Sequence, residues 1–201
     1  MEIRKGFLMK LRTPLVLAIV VMSATGCGAK SVPTSSPTPL ASVSKNVVIP
    51  SAAKAYRAAL ENSLTSANSK GLTELWSDST GKLVTVVVQD ANNGVCAQSD
   101  LVINDTQEID SAGMMPSVLM AELEGLEANT GTDIGSVKNT ASGDIEVANF
   151  IDDTHYLTTY TLDSSGRIAS ATQLAEGELA ATATFTYAIT PEGAKALGAV
   201  K

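Results

Sequence analysis

Basic and aromatic residues, histidine and cysteine are scarce in this chain of 201 residues. It has 14 Lys and Arg against 21 Asp and Glu, one His, two Cys and 4% aromatic residues. Its formal net charge is −7, and its basic residues form no cluster beyond the first 12 positions. Nucleic-acid binding depends on neutralising phosphates with Lys and Arg, so we expect no nucleic-acid partner.

The lack of histidine and cysteine also limits the enzymes that this chain can form. A Ser-His-Asp site would have to use His155 with Asp152 or Asp153, and the Gly-x-Ser-x-Gly turn of many hydrolases does not occur. These three residues offer a zinc ion few ligands, because a zinc site needs three or four at good geometry. No EF-hand, phosphate-binding loop or dinucleotide fingerprint occurs either. We therefore expect no enzyme, metal or cofactor; only a carboxylate pair for glycoside hydrolysis is left open, since its separation in space defines it.

The N-terminus has the three parts of an export signal. Four basic residues within positions 4–12 precede an uninterrupted apolar run at residues 15–22, and small residues follow. This arrangement is typical of a secretory signal peptide. A transmembrane helix needs about 20 apolar residues, so the run is too short to span a membrane unless the small residues after it are counted.

Ala24-Thr25-Gly26-Cys27 at the end of this signal resembles the lipobox of bacterial lipoproteins. The resemblance implies cleavage between Gly26 and Cys27, a diacylglyceryl thioether on Cys27 and usually an acyl chain such as palmitate on the new N-terminus. Ala24 departs from the leucine that is commonest at its position. Two or more acyl chains give stable anchoring, so we expect a lipid anchor on the extracytoplasmic face of the cell membrane. The alternative is an ordinary signal peptide with a chance cysteine.

A Ser/Thr/Pro-rich segment follows the cysteine. Residues 31–44 have three prolines and no charge, which predicts an extended, disordered spacer, and we assign residues 27–46 to the lipidated cysteine and its tether. Loss of residues 1–26 removes four basic residues and one acidic residue and takes the net charge from −7 to −10. Anionic lipid would repel such a surface, so the lipid anchor is expected to supply the membrane contact.

Residues 47–201 have the length of a single domain. Hydrophobic periodicity predicts helices at residues 50–70, 116–128 and 191–197. Alternating patterns between turn signals predict strands at residues 72–77, 82–89, 95–103, 145–151, 155–162, 167–175 and 179–189. Residues 131–136 have the character of a flexible connection. The last strand alternates apolar residues with threonine, which favours an α+β domain whose antiparallel sheet has one face in water.

This order of elements behind a lipobox resembles the envelope lipoproteins of the LolA/LprG-like superfamily. The resemblance implies a curved antiparallel sheet, a half-barrel, covered by two or three helices, with an apolar cavity that accepts acyl chains. It rests on order and pattern, without a short motif. Ala181 and Ala183 depart from it, because that sheet usually has bulkier residues.

Two functions follow as expectations. The first is a membrane-anchored envelope lipoprotein that binds or carries lipids or other apolar molecules. The second is a structural or interaction module of the envelope, with a filled core and a partner protein at its polar strand face. A pocket between sheet and helices favours the first function, and a filled core favours the second. The residues predicted to line the pocket are Tyr56, Leu60, Leu123, Ala183, Phe185 and Tyr187.

We expect Cys96 and three methionines to pack in the core rather than to take part in chemistry. Cys96 is the only cysteine left once Cys27 carries lipid, so no internal disulfide can form in that state. No basic residue adjoins Cys96 to lower its pKa, and we expect a small buried side chain. Met114, Met115 and Met120 could line a pliable apolar surface, but methionine more commonly fills a core.

Overall fold

The computed structural model describes residues 51–128, 134–151 and 153–200 as an α+β fold. Three α-helices and a short 3₁₀ turn at Ser111–Gly113 accompany nine strands. The helices are α1 Ser51–Lys70, α2 Met115–Ala128 and α3 Pro191–Ala199. The strands are β1 Leu72–Asp78, β2 Leu83–Asp90, β3 Val95–Asp100, β4 Asp105–Ile109, β5 Ile134–Asn139, β6 Ile145–Ile151, β7 Thr154–Leu162, β8 Ile168–Ala175 and β9 Glu178–Thr186.

All nine strands belong to one antiparallel sheet in the order β4-β3-β2-β1-β9-β8-β7-β6-β5. The sheet is curved and does not close into a barrel, so the α+β fold predicted from the sequence is confirmed. Strands β1 to β4 and strands β5 to β9 each pair with their neighbours in the chain. The pairing of β1 with β9 joins these two groups, and it sets the first strand beside the last.

The register of the strands separates two faces of the sheet. Paired residues of neighbouring strands point to the same side, and side chains alternate along each strand. Glu74 pairs with Phe185 and lies on the same side as Trp76; we call this side the inner face. Thr73 pairs with Val88 and lies on the other side, which we call the outer face.

Helices α1 and α2 cover the inner face. The apolar side of α1 is buried, and its Tyr56 stacks on Tyr160 of β7, which belongs to the inner face by register. Gly71 ends α1 with a positive φ of 83°, and its N–H donates to the carbonyl of Ala67. That conformation is available to glycine at no steric cost. The start of α2 is held against β1 by a hydrogen bond from Met115 N–H to Glu74.

Helix α3 packs on the outer face instead. Its Ala196 and Leu197 form a buried cluster with Val86 and Val88 of β2 and with Ala97 of β3. The Thr190 side chain caps the helix by accepting from the Gly193 N–H, as the Thr-Pro sequence predicts. The outer face is therefore dry at the β2–β3 end of the sheet. Along the last strand, from which the sequence predicted a face in contact with water, Thr184 and Thr186 are exposed on the same outer face.

Two predicted elements differ from the structure. The strand predicted at residues 95–103 ends at Asp100, because the Asp100 carboxylate accepts hydrogen bonds from Val102 and Ile103 N–H and turns the chain. The next strand, β4, was not predicted. The connection predicted at residues 131–136 contains the start of β5, whose Ile134 is buried. Residues 129–133 and 152 lie outside the described residues.

The remaining element boundaries agree with the prediction to within a few residues. The last strand is shorter than predicted, ending at Thr186 rather than at residue 189. The predicted signal at residues 1–26, with Gly26, and the Cys27 tether at residues 27–46 lie outside the described residues. These assignments stay predictions.

Candidate functional site

Five of the six residues predicted to line a pocket lie in the interior between the inner face and helices α1 and α2. Tyr56, Leu60 and Leu123 have no exposed surface, and Ala183 and Phe185 are 2% and 6% exposed. The walls of an open cavity wide enough for an acyl chain would keep surface that a water molecule can reach. Tyr56, Leu60 and Leu123 keep none, so these three side chains contact only protein atoms, and a ligand would have to push them apart.

Tyr187, the sixth residue, does not line this interior and contacts residues at the start of β8 instead. Its hydroxyl donates to the carbonyl oxygen of Ile168 at 2.8 Å, and the guanidinium of Arg167 lies over its ring at 4.4 Å. Arg167 is held in turn by an ion pair with Asp163 at 2.6 Å. Burial raises the pKa of Tyr187 to about 12. This aromatic residue therefore links the chain directly after β9 to the start of β8.

The hydroxyl of Tyr56 is the one buried side-chain polar atom among the described residues that makes no hydrogen bond of normal geometry, although the Tyr160 hydroxyl is near enough to affect its pKa. The ring stacks on that of Tyr160, with centroids 5.7 Å apart. Burial raises the pKa of both tyrosines, so both are neutral at physiological pH. A buried hydroxyl without a partner is unfavourable by about 1–3 kcal/mol, which makes this position receptive to a water or to the polar end of a ligand.

Glu74 places a carboxyl group in the same interior. It is 1% exposed and accepts two hydrogen bonds, from Trp76 Nε1–H at 3.3 Å and from Met115 N–H at 2.8 Å. Trp76 packs edge-on against Phe185, with centroids 6.1 Å apart. Burial raises the pKa of Glu74 to about 7, against the two hydrogen bonds that favour the ionised form. The carboxyl thus joins β1 to the first turn of α2.

On the outer face, an apolar row crosses strands β6 to β9 where α3 does not reach. Register places four residues side by side: Ala148 pairs with Leu157, Leu157 with Leu174, and Leu174 with Leu179. Leu179 is 42% exposed, and Phe150, two residues beyond Ala148 on β6, is 57% exposed. We call these five residues the apolar row.

A β-bulge turns Leu179 outward. The register between β8 and β9 shifts after Gln173, so Leu174 faces Leu179 while Ala180 and Ala181 are both buried. Regular alternation along the last strand would place Leu179 on the same side as Phe185, on the inner face. The bulge instead places Leu179 on the outer face, where it extends the apolar row onto β9.

The groups considered for catalysis are dispersed. His155 is exposed on β7, while Cys96 is buried on β3, where burial raises the pKa of its thiol. A raised pKa disfavours the reactive thiolate. In the described part of the chain, no three His, Cys, Asp or Glu residues are grouped so that they could hold a metal ion. Met114 is buried in the core, at 1% exposure.

Sequence reasoning missed two features of these surfaces. Glu74 lies between Leu72 and Trp76 at an inward position of an alternating strand, and that pattern alone signals a buried acid. The apolar row gave no comparable signal. Its members are widely spaced in the chain, and pairing register brings them together.

Comparisons with known proteins place this chain in no family. No protein-family model matches the chain, and no curated protein matches it significantly. Within residues 51–128, 134–151 and 153–200, none of the helices has the length and apolar character that crossing a membrane requires.

Proposed function

We propose that this chain is a lipid-anchored protein of the bacterial cell envelope whose folded domain is an interaction module for another envelope protein. The anchor is the Cys27 lipid that the lipobox-like sequence predicts. The binding surface is the apolar row on the outer face. The proposed location is the extracytoplasmic face of the cell membrane.

The apolar row is the observation that carries the binding role. Phe150 and Leu179 are exposed at the two ends of the row, and the half-buried Ala148, Leu157 and Leu174 connect them over four strands, although α3 covers the same face elsewhere. Contiguous exposed apolar surface in a folded domain is typical of a protein contact. Lys138 and Glu146 of this face lie 4.0 Å apart and offset each other's charge. The surface is therefore suited to an uncharged, apolar partner surface.

A photo-crosslinking amino acid placed in the row tests this role in the intact envelope. Introduced at Phe150 or at Leu179, it should give the same discrete crosslinked product. Glu61 on α1, whose side chain is 59% exposed, is the matched control position and should give none. Absence of a product from both row positions, or equal products from all three positions, would rule out the row as the binding surface.

The anchor is tested by intact-mass measurement of the mature protein. The expected N-terminus is a lipidated Cys27, and Cys27→Ser should remove the lipid and leave the exported precursor uncleaved. A mature protein cut elsewhere, with an unmodified thiol at position 27, would contradict the anchor.

A second candidate function is the binding of a lipid or other apolar molecule between the inner face and helices α1 and α2. The Tyr56 hydroxyl favours it, because this group makes no hydrogen bond of normal geometry and the polar end of an amphiphile could provide one. Tyr56, Leu60 and Leu123 leave no space for such a ligand, so α1 or α2 would have to move to admit it.

Ala183→Trp separates the two candidates. If the interior opens for a ligand, the larger side chain should displace co-purified lipid at little loss of stability. If the interior is closed, the free energy of unfolding should fall by about 1–3 kcal/mol through overpacking. Organic extraction of the wild-type protein followed by mass spectrometry shows directly whether a lipid is bound.

A further inference from the structure

The turn between β3 and β4 presents three consecutive aliphatic side chains to solvent. Leu101, Val102 and Ile103 are 40%, 59% and 69% exposed. Turns of four residues ordinarily have polar residues or glycine at these positions. We call residues 101–103 the aliphatic tip.

The backbone of this tip is fixed by hydrogen bonds. The Asp100 carboxylate accepts from Val102 N–H at 2.8 Å and Ile103 N–H at 3.2 Å, and Leu101 N–H donates to the Val84 carbonyl at 2.8 Å. Asn104 completes the turn at a φ of 54°. The three side chains are thus held out by an ordered backbone.

A neighbouring turn shows that this geometry does not require aliphatic residues. Strands β1 and β3 run in the same direction, so the β1–β2 turn lies at the same end of the sheet. Its Asp78 carboxylate likewise accepts from Thr80 and Lys82 N–H, yet its residues are Ser79, Thr80 and Gly81. The folding of the hairpin therefore does not explain the aliphatic tip.

We propose that the aliphatic tip inserts into the lipid surface beside the anchor. The tip is convex and purely aliphatic, so it fits an interface that deforms around it rather than a flat protein surface. Insertion transfers three exposed side chains from water to acyl chains. Because Asp100 and Asp105 flank the tip, a zwitterionic lipid is a better match than an anionic one.

This inference rests on the proposed Cys27 anchor, which supplies the proximity. The spacer that the sequence predicts between Cys27 and α1 would, as a random coil, have a root-mean-square length of roughly 25–30 Å and would keep the domain close to the bilayer. Tethering at that distance raises the effective concentration of lipid at the tip into the millimolar range. Three aliphatic side chains, too few to bind a membrane alone, then suffice as a second contact.

Quenching of tryptophan fluorescence tests the insertion in the full mature chain. Ile103→Trp and the matched control Ser79→Trp are each reconstituted in phosphatidylcholine vesicles whose acyl chains are brominated. Trp76 is 3% exposed and gives the same background in both. We expect loss of most of the added Ile103→Trp emission and none of the added Ser79→Trp emission. Equal emission from the two would overturn the proposal.

Flotation of the same vesicles separates the two proposals. Wild-type protein that floats with the vesicles while Ile103→Trp stays unquenched disproves insertion and leaves the anchor intact. Wild-type protein that does not float disproves the anchor and the insertion that depends on it. Floating protein with selective quenching at position 103 supports both.

Discussion

The two faces of the sheet have opposite relations to their helices. On the inner face, α1 and α2 leave Leu60 and Leu123 without exposed surface, while on the outer face Phe150 and Leu179 are 57% and 42% exposed. Strand alternation supplies apolar residues to both faces, but among the described residues α3 is the one helix that packs on the outer face, where it contacts the β1–β4 part of the sheet. The comparison shows that a residue's place under a helix, rather than its hydrophobicity, determines whether it stabilises the fold.

Leucine truncation on each face should give the largest contrast. Leu123→Ala should lower the free energy of unfolding by about 2–5 kcal/mol, because it opens a cavity in a filled interior. Leu179→Ala should change it by only about 0.5 kcal/mol, because the residue lies at the surface and is already 42% exposed. Urea unfolding monitored by circular dichroism measures both. Similar losses from the two variants would mean that the outer face is covered in solution.

Titration of Glu74 on the inner face should make the free energy of unfolding depend on pH. Its pKa is about 7 in the folded protein, above the ordinary 4.5, so the folded state holds the proton more tightly than the unfolded state. The free energy of unfolding should therefore fall as pH rises from about 4.5 to 7, by about 3 kcal/mol in all, and level off above that range.

Glu74→Gln should abolish this component, since the amide does not ionise. Its single oxygen can replace only one carboxylate oxygen, so it keeps the hydrogen bond from Met115 N–H or the one from Trp76 Nε1–H and adds a loss of stability that is independent of pH. The difference in unfolding free energy between variant and wild type is measured from pH 4.5 to 8. A difference that does not change with pH would show that Glu74 is not the titrating group.

Helix α3 offers a matched pair of glycines for the covered part of the outer face. A Cβ at Gly193 would lie 2.8 Å from Thr73 Oγ1 and 3.0 Å from a Val88 methyl, while one at Gly198 would meet nothing within 4 Å. Thr73 Oγ1 donates to the Ala188 carbonyl and accepts from Thr190 N–H, so it cannot move freely.

Gly193→Ala should therefore lower the free energy of unfolding by about 1–3 kcal/mol. Gly198→Ala should raise it by about 0.5–1 kcal/mol, because alanine loses less backbone entropy in a helix. Melting temperatures of the two variants provide the measurement. The same sign for both would indicate that α3 does not dock closely on the sheet.

A double substitution in the apolar row should have only a small effect on stability. Phe150→Ser combined with Leu179→Ser should change the free energy of unfolding by no more than about 0.5–1 kcal/mol. The two substitutions together should nevertheless eliminate the crosslinked product formed by a photo-crosslinking residue at Leu174. Loss of binding would then be distinguished from loss of stability. A product that persists would place the partner elsewhere.

The sequence predicted local structure well where periodicity was long or turn residues were unambiguous. Helix α1, with its Tyr56–Leu60 stripe and terminal Gly71, is an example. Strand β4 escaped prediction because its residues are polar and it lies at the edge, paired with one neighbour only. The bulge at Ala180 could not be predicted, because pairing with β8 defines it.

The same limit applied to function. The buried positions of Tyr56, Leu60 and Leu123 were predicted from helical periodicity, but periodicity does not determine whether such residues enclose a space or fill it. The apolar row depends on long-range register and was invisible in the sequence. Cys27 is the opposite case, because its lipidation is predicted from contiguous residues and lies outside the described structure.

The pairing of β1 with β9 has a consequence for how the chain reaches its native state. Thr73 and Thr186 pair although they lie roughly 110 residues apart in the chain. Joining the two groups of strands therefore closes a long loop, which has an entropic cost. During synthesis from the N-terminus, strands β1 to β4 are complete before β9 has been made. The edge of β1 that pairs with β9 in the native sheet is then unpaired. That exposed edge is open to pairing with other chains until β9 arrives. Slow sheet closure and aggregation of C-terminally truncated chains are the expected kinetic signatures of this topology.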